Sequence, residues 1–192
     1  STLAALYAVW RLIQDQSYRI LIVSGAEKQA SDVANLIIRM IETWPLLSYL
    51  KADPTRGDRT SFEGYDVHCD LKQLEKSASV ACVGITASLQ GKRADLLIPD
   101  DIETTKNGLT QTQREQLLMI SKDFAAICTH GDILYLGTPQ TKDSIYKTLP
   151  GRGFEVRVWP GRIPSVEMEE RYGSTLATYI RELIERGYKR TG

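Results

Sequence analysis

Four short, continuously apolar runs constrain this chain more than anything else in it: residues 19–24 (RILIVS), 79–85 (SVACVGI), 95–99 (DLLIP) and 132–137 (DILYLG). A strand with one wet face alternates apolar and polar residues. A strand covered on both faces does not, and such strands belong to parallel sheets sandwiched between helices. Helical periodicity fills the intervals. Leu3, Leu6, Tyr7, Trp10 and Ile13 predict a helix over 2–15, and Val33, Ile37, Met40 and Ile41 a buried stripe on a helix over 26–43. Further helices are expected over 111–127 and, as one long charged helix or a pair, over 166–187. Phe62, Tyr65, Val67 and Cys69 alternate weakly and predict a strand over 62–69; another is expected over 154–159, ended by Pro160. Strands alternating with helices give an α/β fold with a mainly parallel sheet flanked by helices.

Composition narrows the function. The chain has 192 residues, enough for a real core, with 42% hydrophobic and 25% charged residues. Lys plus Arg equals Asp plus Glu at 24 each, so the net charge is zero, whereas a protein that binds DNA with its whole surface is usually more basic; any DNA contact is expected to be local or supplied by parts not present here. Cys69, Cys82 and Cys128 are odd in number and far apart, which predicts buried thiols rather than disulfides. His68 and Cys69 stand together without a second ligand pair, against a zinc site. No apolar run approaches a membrane span, and no signal peptide is visible.

Chemistry concentrates at two strand ends. The run 96–99 leads directly into Asp100 and Asp101, with Glu103 two residues on. Ligands of parallel sheets bind outside the carboxyl ends of the strands. Acids there can hold Mg²⁺ beside a nucleotide phosphate while a neighbouring carboxylate polarises the attacking water. An apolar strand running into Asp-Asp is also an ordinary sheet exit, and Pro99 suits only the last position of a central strand. The run 132–136 ends in Gly137-Thr138-Pro139-Gln140, where the threonine hydroxyl and glutamine amide can bond a phosphate or water. The plain alternative is a Gly/Pro turn.

Ser1-Thr2 opens straight into an apolar helix followed by a buried strand. A phosphate-binding loop ends in Gly-Lys-Ser/Thr at the start of such a helix, so Ser1 is expected to be the Mg²⁺-binding hydroxyl of a chain cut just ahead of it. With that order established, the sequence resembles the ATPase domain of terminase large subunits, especially those of short-tailed phages, also called DNA maturase B. The likeness is carried by Ser1 to Trp10, Arg19 to Ser24, Val83-Gly84-Ile85-Thr86, Gly91-Lys92-Arg93-Ala94-Asp95 through Glu103, Ile133 to Gln140 with Tyr146 behind it, and Trp159-Pro160.

The resemblance implies a P-loop NTPase fold of the ASCE/RecA-like kind, truncated at its N-terminal P-loop strand. It implies an ATPase core over 1–163 and a helical linker or lid over 164–192, with the family's nuclease domain absent. Ser1 and Thr2 would end the Walker A motif, and Asp100 would be the Walker B metal acid. Asp101 would be the catalytic carboxylate, with Glu103 as a rival because related ATPases usually carry glutamate there. Thr138 would fall in the ATPase-coupling motif, Gln140 would join it in binding the nucleotide, and Arg93 would lie near where some terminases place an arginine finger acting across subunits. ATP and Mg²⁺ are the implied cofactors. Double-stranded DNA, a portal protein, a terminase small subunit and further copies in a ring are the implied partners, in the host cytoplasm and away from membranes.

Three other readings stand beside it. They are another P-loop ATPase (helicase-like or partitioning), a metal nuclease using Asp95, Asp100, Asp101 and Glu103, and a non-catalytic fragment. Arg56, Arg59, Lys72 and Lys76 are candidate DNA contacts, with solvated loop charges the commoner explanation.

Overall fold

The computed structural model describes residues 1–159, 165–172 and 176–187. It divides into two compact units, Ser1–Ile145 and Tyr146–Gly192. That division falls ahead of the expected boundary at 163/164, which lies outside the described residues.

The first unit carries α1 (Thr2–Gln14), β1 (Ile20–Ser24), α2 (Glu27–Thr43), β2 (Thr60–Ser61), β3 (Gly64–Tyr65), β4 (Val80–Gly84), β5 (Leu96–Asp100), α3 (Gln111–Lys122), α4 (Phe124–Ile127) and β6 (Asp132–Ile133). The six strands form one mixed sheet in the order β2-β3-β4-β1-β5-β6. β4, β1, β5 and β6 run parallel, and the β2–β3 hairpin is antiparallel at one side. This is a mostly parallel α/β sheet flanked by helices, compatible with a P-loop NTPase-like fold.

Burial explains the unbroken apolar runs. Ile20, Ile22, Val80, Cys82, Leu96 and Ile98 face one core together with Ala5, Ala8, Val9 and Leu12 of α1 and Ala34, Ile37 and Ile41 of α2. Leu21 and Leu97, which alternation turns to the other face, are just as buried. Helix α3 starts on a capping box, Thr110 accepting from the Gln113 amide while Gln113 reciprocates.

Three expectations changed. The single strand over 62–69 is instead the β2–β3 hairpin, with Phe62 and Glu63 in its turn. Strand β6 is shorter than expected: its regular pairing covers Asp132 and Ile133, and a lone parallel bridge joins Leu136 to Asp100. Residues 154–159 find no ladder partner among the described residues and form no strand; Val156, Val158 and Trp159 are exposed. Pro160 lies outside the described residues. In the second unit the helix pair expected over 166–187 as one of two alternatives is what forms, α5 (Val166–Tyr172) and α6 (Leu176–Glu185), and the buried Glu169 carboxylate accepts from the Thr178 amide and hydroxyl at 2.9 and 2.8 Å.

Candidate functional site at the carboxyl rim of the sheet

Register sets the site. Ser24, the last residue of β1, lies opposite Gly84 of β4 and Asp100 of β5, and Asp100 in turn bridges Leu136. The strand ends that carry Asp100 and Thr138 therefore share one rim.

Ser1 joins them from the chain start. Its hydroxyl donates to Asp100 Oδ2 at 2.7 Å, across 99 residues of sequence. A serine at a helix N-cap ordinarily accepts from an amide in the first turn, which is worth about 1 kcal/mol. Here that cap bond is not made, and the hydroxyl is spent on the carboxylate instead. Asp100 is 6% exposed, and Thr2 follows on the surface as the first helical residue.

Asp101 leaves the strand in a left-handed conformation with φ 46°, alone among the described non-glycine residues. Short polar residues tolerate that region best, and strain of this kind gathers at functional sites. Both neighbours hold the turn: the Asp101 amide donates to the Leu136 carbonyl at 2.9 Å, and its carbonyl accepts from the Gly25 amide at 3.3 Å. Gly25 has to be glycine for this approach, since a Cβ would lie 2.5 Å from Thr104 Cγ2 and 2.7 Å from the Asp101 carbonyl oxygen.

Glu103 differs from both aspartates. It is 1% exposed, and its carboxylate accepts from the Gln140 amide at 3.1 Å and from the Ser144 hydroxyl and Ile145 amide at 2.8 Å each. Thr138 stands exposed two residues beyond Leu136, and its carbonyl accepts from the Gln140 side-chain amide at 3.2 Å.

Arg93 is not brought to this rim within one chain. It precedes β5 and so lies by the opposite edge, exposed, donating to the Lys92 carbonyl. The five residues of β5 separate the two edges by about 13 Å or more. Asp95 sits at that far edge too, where Arg19 grips both its oxygens at 2.8 Å. The Arg19 hydrogen bonds hold its carboxyl below the usual range despite burial. The four carboxylates of the nuclease reading therefore do not converge.

Three of the four basic residues considered for DNA are committed elsewhere: Arg56 to Asp70, and Arg59 and Lys72 to Asp66. His68, Cys69 and Asp70 come close enough to hold an ion, but Asp70 is fully engaged by Arg56 and His68 Nδ1 already accepts from the Asp70 amide. None of the three cysteines forms a disulfide among the described residues; Cys82 and Cys128 are buried and Cys69 is partly exposed. No helix among the described residues is long and apolar enough to cross a membrane.

Sequence reasoning missed Ser24 and Gly25. Their signal was present: a serine-glycine pair closing an apolar run at the same rim as the acids. The contacts of Glu103 had none, because its partners lie 37 to 42 residues away in an irregular segment.

No family model matches the chain. The chain is 37% identical over 195 residues to the terminase large subunit of Enterobacteria phage T3, a match covering 98% of this chain and 32% of that protein. The chain thus spans about a third of the length of the curated relative it matches.

Proposed function

From this homology, over nearly its whole length, to part of a terminase large subunit, we propose that the chain is the core of a Mg²⁺-dependent ATPase that drives packaging of double-stranded viral DNA. The observation that carries the reading is the 2.7 Å contact between Ser1 Oγ and Asp100 Oδ2. A hydroxyl and a carboxylate brought together at a strand end are hard oxygen donors of the kind Mg²⁺ takes, directly or through water, so Ser1 and Asp100 would hold that ion. Mg²⁺ bound there would neutralise phosphate charge. Asp100 and Ser1 hold that position, and Asp101 accepts the proton of the attacking water and orients it.

Thr138, on the neighbouring strand end, would sense whether the terminal phosphate is present and pass that state on. The motor would work as a ring of copies on a portal, with a small subunit selecting the DNA, and Arg93 would complete a neighbouring copy's site rather than its own. A site at a subunit boundary suits a residue held at the far edge of the sheet.

Steady-state ATP hydrolysis by the full-length protein tests this. Asp100→Asn should abolish Mg²⁺-dependent turnover, and wild-type rates would remove the assignment. Thr138→Ala should leave nucleotide binding within about threefold while DNA movement stops; loss of binding alone would sink its coupling role.

A further inference from the structure

We propose that Glu103 is a positioning residue that fixes where Thr138 stands relative to Asp101; this rests on the functional reading above for its consequence, though not for its geometry. Residues 137–139 form a short exposed arch with two feet. The upstream foot is Leu136, whose amide donates to the Pro99 carbonyl and whose carbonyl accepts from the Asp101 amide, both at 2.9 Å. The downstream foot is Gln140, whose amide donates to Glu103 Oε1. Both feet thus rest on one segment, 99–103, and the second is held by a side chain rather than by sheet pairing.

The chemistry of that side chain supports the role. A buried carboxylate without a cation is costly unless hydrogen bonds satisfy it. Among the described residues no ion pair involves Glu103, and three donors from 140–145 enclose its oxygens. Charge-assisted bonds of this kind are roughly twice as strong as neutral ones. The stem is confined as well, because a Cβ on Gly108 would come 2.9 Å from Glu103 Cγ. Both oxygens are thus engaged by donors from 140–145, and the residue is 1% exposed. Asp101 keeps the water-orienting role, and Glu103 makes the strand end carrying Asp101 and the arch carrying Thr138 move as one body.

The experiment uses the full-length protein with Glu103→Gln and Ser144→Ala, read by amide exchange over 137–145 and by ATP turnover. Glu103→Gln keeps the shape but places an amide against one of the donors; Ser144→Ala removes a single donor and leaves the acid intact. Exchange at Gln140 and Ile145 should rise about tenfold or more in both variants. Turnover should fall about tenfold in both, with the KM for ATP nearly unchanged. Unchanged exchange would overturn the anchor. Exchange that rises while turnover stays at the wild-type level would overturn its link to the reaction. A loss of about a thousandfold in Glu103→Gln beside wild-type turnover in Ser144→Ala would make Glu103 itself the catalytic carboxylate. Should the wild-type protein not hydrolyse ATP, the functional reading fails, and exchange alone still decides whether Glu103 holds the arch.

Discussion

The two rims of the parallel sheet treat their acids in opposite ways. At the amino rim the carboxylates that are withdrawn from solvent are neutralised, Asp95 by Arg19 and Asp66, near the sheet's antiparallel side, by Arg59 and Lys72, while Asp132 at the start of β6 stays exposed. Burial pushes the Asp66 carboxyl up, but the hydrogen bonds from Arg59 and Lys72 outweigh it and bring it down to about 2. At the carboxyl rim Asp100 and Asp101 take part in no ion pair among the described residues, and Asp100 receives only a hydroxyl. A fold that carries enough arginine to pair its structural acids leaves these two unpaired. Paired acids hold the sheet together; the unpaired acids at the strand ends are the ones the proposed Mg²⁺ site would use.

The largest effect should separate the rims outright. Asp101→Asn should cost about 10²–10⁴ in ATP turnover with little change in stability. Asp95→Asn should do the reverse, lowering the urea midpoint while turnover per folded molecule holds. Equal turnover losses in both would erase the distinction. Next, Asp66→Ala strands Lys72 beside the Ser79 hydroxyl and leaves the Arg59 amide without its acceptor, and should cost about 3 kcal/mol in urea unfolding.

Acid titration gives a smaller effect. The Asp66 carboxyl is lowered from 3.8 to about 2 on folding, so its stabilisation is complete above about pH 5 and is lost as pH falls through 2. The loss should amount to about 2 kcal/mol and be absent from Asp66→Asn. The smallest effect probes the other rim's backbone: Gly25→Ala, which crowds Asp101 and Thr104, should destabilise by about 1–2 kcal/mol in the same urea assay.

The parallel strands were legible because burial on both faces leaves an unbroken apolar run, and their carboxyl ends located Asp100, Asp101 and Thr138 by position alone. The hairpin at 60–65 was not legible, since two-residue strands carry too little alternation to separate from a loop. Residues 154–159 show the opposite failure: alternating Val156 and Val158 have strand propensity, but a strand needs a ladder partner as well. The role of Glu103 was hidden for a third reason. Adjacency to two rim acids suggested shared chemistry, whereas its environment is set by a distant segment that folds over it.

The left-handed turn at Asp101 also has a steric corollary. Any Cβ is crowded there and β-branched side chains most of all, whereas the short polar side chains of aspartate and asparagine offset the cost by bonding locally, so the turn favours aspartate, asparagine or glycine at this position. An aspartate reaches about 1.5 Å less far than a glutamate, one carbon–carbon bond. A substrate that used this carboxylate would therefore have to dock that much closer to the ends of the strands.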